Sequence, residues 1–342
     1  MKLTIAIPTF NRNATLKETL RHLLPQLTTE CCLLILDNHS DVPVSETLRD
    51  LLTPFLHLPI SIIRHRGNIG ADANGLRCFE LCETEWLWVL GDDDIVEPDA
   101  VLTILNAVAK APSALYISFL GREWKKEGSR SDIRQHESIT KGVSHFITDL
   151  DTTGTIHFMS CSIWKTRVFL DKIRFGYDYA YSMSWPLILL LSSLGDDGEA
   201  FFTTEVIIKQ ITIAPLASRW SYVRWLLGCT TVLELSLSER DQTVFARKML
   251  SRYTPEAVTA YVLADRTLSS PKQRRLYYDL VVGRMTPYKL HFCSRIRFSI
   301  YRLLFIHPKL GWTIVKTAIK LSKMMGRSGI DIADLSRATV DK

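Results

Sequence analysis

Long apolar runs, paired cysteine motifs and glycine-rich phosphate loops are all missing from this 342-residue sequence, and each absence removes a class of protein. The greasiest stretch, Trp185 to Leu194, is interrupted by Pro186 and two serines and falls short of the ~20 residues a membrane span needs. No transmembrane helix is expected, so any membrane contact should be peripheral. The opening MKLTIAIPTF lacks the charged, apolar and small-residue regions of a secretion signal, which predicts a cytoplasmic protein. The seven cysteines form neither a CxxC nor a zinc-ribbon spacing, and their odd number fits free, buried thiols in a reducing compartment. No lysine-containing, glycine-rich loop follows the first strand-like segment, which speaks against a nucleotidyltransferase, and no repeat or nucleic-acid recognition motif occurs.

What is present reads as a folded enzyme, with 46% hydrophobic and 23% charged residues. Leu3 to Ile7, Cys32 to Leu36, Ile60 to Arg64 and Trp86 to Leu90 are short, almost continuously apolar segments that read as buried strands. Ala14 to Leu27, Ser45 to Leu52 and Ala71 to Cys82 carry apolar residues at helical spacing between them. This alternation predicts an α/β domain with a mainly parallel sheet covered by helices on both faces. The polar segments all follow strand C-termini, the end at which such sheets bind ligands. From Ser113 to about Phe202 the signals are mixed, with a polar connection from Glu123 to Thr140, and beyond Arg219 they are helical.

The strongest local feature is Gly91-Asp92-Asp93-Asp94 at the end of the fourth apolar strand, followed by Ile95, Val96, Glu97 and Pro98. Three adjacent carboxylates repel one another and are best tolerated beside a cation. Hard oxygen ligands suit Mg²⁺ or Mn²⁺, which can bridge a diphosphate and stabilise it as a leaving group. The bland alternative is a solvated acidic turn capping the helix that starts near Pro98.

The triplet does not stand alone. Ile5-Ala6-Ile7-Pro8-Thr9-Phe10-Asn11-Arg12, Leu36-Asp37-Asn38-His39-Ser40, Asn68-Ile69-Gly70-Ala71-Asp72-Ala73-Asn74-Gly75 and Asp92-Asp93-Asp94 with Glu97-Pro98-Asp99 occur in that order. In this ordered set the sequence resembles the family 2 glycosyltransferases of the GT-A fold, well over residues 1 to about 120 and weakly over 150 to 205. The resemblance implies a GT-A domain over 1–215, with a nucleotide-sugar-binding half (1–120) and an acceptor half (121–215); the helical signals and charge of the remainder predict a helical basic extension over 216–342. It implies a nucleoside-diphosphate-sugar donor held by Pro8, Thr9, Asn11, Arg12, Asp37, Asn38, Asn68, Asp72 and Asp92, with Asp93 or Asp94 as the metal ligand. It also implies sugar transfer to an acceptor hydroxyl. Phe158 to Ile163 and Ser184-Trp185-Pro186 are loosely similar to the abequosyltransferases of O-antigen assembly, which implies a saccharide or lipid-linked saccharide acceptor.

Three departures from the family pattern matter. Gly91 stands where the family more often has an acid, so the register of the metal-binding pair is open by one position. Asn38 replaces an acid that meets the base, and an amide offers both donors and an acceptor, so uracil, thymine and cytosine all remain open. The general base expected near Tyr181 to Leu187 falls on Ser184, whose hydroxyl is no substitute at neutral pH. Asp178 is the nearest carboxylate by sequence, with a turn aspartate after Gly176 as its plain reading; His157 is a further candidate. The missing base leaves a non-catalytic nucleotide-sugar-binding or scaffold protein as the alternative. The aromatic cluster from Tyr177 to Trp185 is a candidate for stacking on sugar rings.

Between Leu280 and Ile330 there is no acidic residue but ten basic ones. Lys309, Lys316, Lys320, Lys323 and Arg327 share one helical face, with Trp312, Val315, Ile319 and Met325 largely on the other. This pattern predicts association with an anionic membrane surface at the inner face of the cytoplasmic membrane, against the plain reading of a packed helix with a solvated basic face.

Overall fold

The computed structural model describes residues 1–123, 136–150, 154–210, 221–251, 253–265, 267–288 and 294–324. The chain divides into two compact units, residues 1–180 with 185–212, and residues 181–184 with 213–342. The boundary expected between 215 and 216 lies outside the described residues, as do Trp220, Met325, Arg327 and most of the expected polar connection.

The first unit is built on one nine-stranded sheet. Strands β1 (Leu3–Thr9), β2 (Cys31–Asp37), β3 (Ile60–Arg64) and β4 (Trp86–Val89) lie in the order β3-β2-β1-β4, all parallel. Being covered on both faces, β1, β2 and β4 read as unbroken apolar runs rather than alternating ones. The crossovers run through α1 (Asn13–Leu23), α2 (Val44–Leu52) and α3 (Ala71–Glu80). Leu16, Leu20 and Leu23 of α1 and Val44, Leu48 and Leu52 of α2 recur at helical spacing and close a core with Ile5, Ile7, Leu33 and Ile35. Each such fully buried side chain contributes roughly 1.5–3 kcal/mol of apolar transfer.

Beyond β4 the sheet continues as β5 (Ile95–Val96), β6 (Ala114–Glu123), β7 (Ser138–Lys141), β8 (Ser162–Lys165) and β9 (Glu199–Gln210), with helix α4 (Ala100–Lys110) between β5 and β6. The order is β4-β8-β6-β9-β5, with β7 also on β9. Here β8 is antiparallel to β4 and β6, β5 and β7 are antiparallel to β9, and β6 and β9 are parallel. The sheet is therefore parallel across its first four strands and mixed beyond them. The four-residue β8 enters between β4 and β6 from far along the chain, a pairing with no local periodicity to announce it.

The apolar stretch Trp185–Leu194 is one helix, buried from Trp185 through Leu191. Trp185 meets Phe79 edge to face at 6.0 Å and stacks obliquely near Trp164, so this expected sugar-stacking residue is a core residue. Cys31, Cys78, Cys82, Cys161 and Cys229 are free and buried, and Cys32 is half-buried and free.

In the second unit, helices Ser294–Leu303 and Pro308–Met324 both pack against helix Pro255–Ala264. The apolar side of the basic helix corrects the expectation that it meets lipid. Val315 and Ile319 are buried against Ala260 and Ala264, with Trp312 packed beside them. A 3.6-residue period gives the apolar side of a helix but not what covers it, and here the chain covers its own. No helix among the described residues is long and apolar enough to cross a membrane.

Candidate functional site

Because β1, β2 and β4 are parallel, the loops that follow them emerge at one end of the sheet, and the sequence-predicted residues meet there. Pro8 and Thr9 end β1, with Pro8 beyond the last pairing to β4, where a missing N–H breaks no bond of that ladder. The Thr9 hydroxyl donates to Asp92 Oδ2 at 2.6 Å. A single guanidinium nitrogen of Arg12 donates to Asp92 Oδ1 and to Asp93 Oδ2, each at 2.8 Å. Thus Arg12 is the cation that the acidic turn requires, and two carboxylate oxygens already converge on one positively charged nitrogen. Burial pushes the Asp92 carboxyl upward while the Arg12 charge and the Thr9 hydroxyl hold it back.

The three acids part company. Asp92 and Asp94 are buried, whereas the Asp93 side chain is 34% exposed and is the most open of the three. Asp94 Oδ2 accepts from the Ser160 hydroxyl at 2.5 Å, and the same Ser160 oxygen accepts from the Gly91 N–H at 2.9 Å. Burial pushes the Asp94 carboxyl up to about 7, against the Ser160 hydrogen bond. Ser160 is in turn fixed through its carbonyl, which accepts from Trp88 Nε1 at 2.7 Å. The departure at Gly91 now has a physical reason, since a Cβ there would lie 2.5 Å from Asp94 Oδ2.

Asp37 is buried beneath its loop. It accepts from the N–H of Ser40 at 2.8 Å and of Val44 at 3.3 Å, and from Arg64 at 2.9 Å. Burial alone would raise its carboxyl, but the Ser40 and Val44 hydrogen bonds and the Arg64 charge outweigh this and hold it below the usual range. Asn38, also buried, donates to Asn68 Oδ1 at 2.9 Å and to the Gly70 carbonyl at 3.3 Å, and accepts from the Ile69 N–H at 2.9 Å. Its amide therefore ties the β2 loop to the turn before α3, where Gly70 sits at φ +88° and the conformation calls for glycine. Asn11, itself at φ 54°, exchanges two hydrogen bonds with Asp41 and donates its N–H to Ser40. Asp72 lies in the first turn of α3.

Asp178 is not joined to this cluster by a hydrogen bond or ion pair. It ends the helix Ile173–Asp178, half-exposed, 3.5 Å from Arg174 of the same helix. That helix packs on α3 closely enough that a Cβ on Gly176 would lie 2.4 Å from Leu76. Ser184 is fully buried. Ser160, Arg64 and Ser40 were not singled out by sequence. Ser40 follows Asp37 in the second strand-end loop, Ser160 lies within the Phe158 to Ile163 segment, and Arg64 closes the third strand-like run.

Asp92 and Asp93 suit a hard divalent cation in donor type and in their shared focus on the Arg12 nitrogen. Among the described residues no cluster of three acids, histidines or cysteines is arranged to hold a metal without further ligands.

The sequence profile of Glycosyl transferase family 2 matches residues 4–174. Among curated proteins, the chain is 31% identical over 121 residues to the abequosyltransferase RfbV of Salmonella typhimurium, covering 34% of this chain and 35% of that protein. It is 26% identical over 128 residues to an uncharacterized glycosyltransferase of Mycoplasma pneumoniae, covering 37% and 43%. The matches thus span less than half of the length of these relatives. Among solved structures, S. aureus TarS 1-349 in complex with UDP-GlcNAc superposes with a TM-score of 0.62 at 14% identity, covering 97% of this chain and 94% of that one. The mannosyltransferase PcManGT from Pyrobaculum calidifontis, in complex with GDP-Man and Mn²⁺, gives 0.51 at 13% identity, covering 91% and 87%. These two likenesses show the fold. With the family profile spanning half of the chain and every loop that meets the acidic turn inside it, the chain belongs to glycosyl transferase family 2.

Proposed function

We propose that this chain transfers a sugar from a nucleoside-diphosphate-sugar to an acceptor hydroxyl, on a saccharide or lipid-linked saccharide of cell-surface polysaccharide assembly, at the inner face of the cytoplasmic membrane. The observation that carries the reading is the convergence of Asp92 and Asp93 on one cationic nitrogen at the ligand-binding end of the parallel strands. Support for the acceptor class comes from the likeness to an abequosyltransferase, and for the donor class from the nucleotide sugars held by TarS and PcManGT.

Asp92 and Asp93 would hold a Mg²⁺ or Mn²⁺ ion, which when bound offsets the charge of the departing diphosphate. Thr9 holds Asp92 in place, and the Arg12 nitrogen, which stands at the focus of the two carboxylates, would shift to admit the ion and keep a second positive charge beside it. Asn38 and Asn68 hold the β2 loop against the start of α3, forming a wall for the base. Asp178 takes the proton from the acceptor hydroxyl.

A panel of UDP-, GDP-, CDP- and dTDP-sugars, assayed with and without each metal for binding and for sugar transfer, tests this. One donor should bind in a metal-dependent way and be turned over. Binding without turnover would favour the scaffold alternative, to which the Arg174 pairing of Asp178 and the burial of Ser184 already lend weight. Binding of no nucleotide sugar would end the proposal.

A further inference from the structure

The second unit leaves six large apolar side chains in water on two successive helices and the turn between them. Ile296, Ile300 and Leu303, at 66%, 57% and 60% exposure, recur at i, i+4 and i+7 on helix Ser294–Leu303. Ile306 (59%) lies in the connecting turn, and Leu310 (59%) and Ile314 (42%) follow at i and i+4 on helix Pro308–Met324. Both helices bury their other faces, Phe298 against Tyr278 and Val315 with Ile319 against Ala260 and Ala264. The exposed set is therefore not a loosened core.

Charge is distributed in a way that selects the partner. Arg297 and Arg302 are paired, with Glu256 and Asp279. Lys309 and Lys320 are exposed on the same helix as Leu310 and Ile314, Lys316 is half-exposed, and no acidic residue occurs between Leu280 and Ile330 to offset them. Isoleucines and leucines flanked by lysines, without acids, complement the acyl boundary and headgroups of an anionic bilayer. A negatively charged protein surface would match the lysines but not six exposed aliphatic side chains.

We infer that the exposed side chains of Ile296, Ile300, Leu303, Ile306, Leu310 and Ile314 dock on an anionic lipid bilayer, with Lys309, Lys316 and Lys320 at the headgroups. It deepens the proposed membrane-side function by naming the surface, and rests on that reading only for its purpose. Because insertion is largely apolar, binding is only partly released by high salt.

Flotation of the full-length protein with phosphatidylcholine vesicles, with and without phosphatidylglycerol, tests it. The protein should float with the anionic vesicles. Ile300→Asp with Ile314→Asp should cut the bound fraction about tenfold or more, as expected for two apolar anchors replaced by charges. Lys309→Gln with Lys320→Gln should weaken binding severalfold on anionic vesicles only. Both variants should keep the parent melting temperature and nucleotide-sugar binding. Absence of flotation, or flotation indifferent to the isoleucine changes, overturns the inference. So does a fall in melting temperature or a dimer-to-monomer shift in the isoleucine variant, because either means that the chain or a second copy covers the face. Flotation that persists in a protein binding no nucleotide sugar supports the surface and removes the transferase reading.

Discussion

The strand-end loops of the first unit and the last two helices of the second treat polarity in opposite ways. At the strand ends, buried polar groups are matched one to another: Asp37 has three donors, Asn38 three partners, and Asp92 both Thr9 and Arg12. On the helices, Arg297 and Arg302 are matched while apolar side chains stand in water. Buried polar groups that are fully satisfied fix geometry, and exposed apolar groups retain free energy for a later contact. The first region is organised before any ligand arrives, and the second would be completed by the contact proposed for it.

The comparison breaks first at Asp93. Asp93→Ala should abolish metal-dependent donor binding in titration calorimetry and lower turnover by about 10³ or more, since the open carboxylate of the pair is lost. Full activity would mean that the convergence on Arg12 is structural only. Next comes Asp37→Asn, which weakens a buried ion pair with Arg64 and sets an amide donor against the backbone N–H groups of the loop. It should lower stability at neutral pH by about 3 kcal/mol in denaturant melts. The sign with pH is fixed by the direction of the shift. A carboxyl held low in the folded state stabilises above its unfolded value near 3.9, and that contribution is lost as pH falls through the lower folded value. The gap between parent and variant should therefore narrow below about pH 4.

Asp178→Asn follows, with turnover down about 10² and donor affinity unchanged in paired kinetic and binding assays. Unchanged turnover removes Asp178 from the chemistry and leaves it as the partner of Arg174. The smallest contrast sharpens the comparison within a single helix. Val315→Ala should cost about 1–3 kcal/mol by chemical denaturation, whereas Ile314→Ala, one residue away, should stay within about 0.5 kcal/mol. Equal costs would mean that Ile314 is covered.

The legible part of the fold was the part made by neighbours in sequence. The apolar runs from Leu3, Cys32, Ile60 and Trp86 became β1 to β4 because each crossover is local; β1, β2 and β4 are buried as expected, whereas β3 is the edge strand and none of its residues is buried. The two-residue β5 and the four-residue β8 escaped notice, since their pairings with β9, β4 and β6 join distant segments and short strands carry too little pattern. The site divided along the same line. Its strand-end positions were visible as polar residues after apolar runs. That Arg12 takes Asp92 and Asp93 while Ser160 takes Asp94 depends on spatial neighbours that spacing does not encode. On the basic helix, periodicity separated Val315 and Ile319 from the lysines correctly. Only packing decides that these two face helix Pro255–Ala264 and that Leu310 and Ile314 face water.

Arg12 has one more consequence, for the order in which the protein is assembled. An acidic turn that depended on a divalent ion for its counter-charge would couple folding to metal supply, and chelation would then unfold it. Here the counter-charge is encoded eighty residues before the turn it serves. The turn is charge-balanced without an ion, so a divalent cation held there as proposed would act as a reversible activator and not as a cofolding ligand.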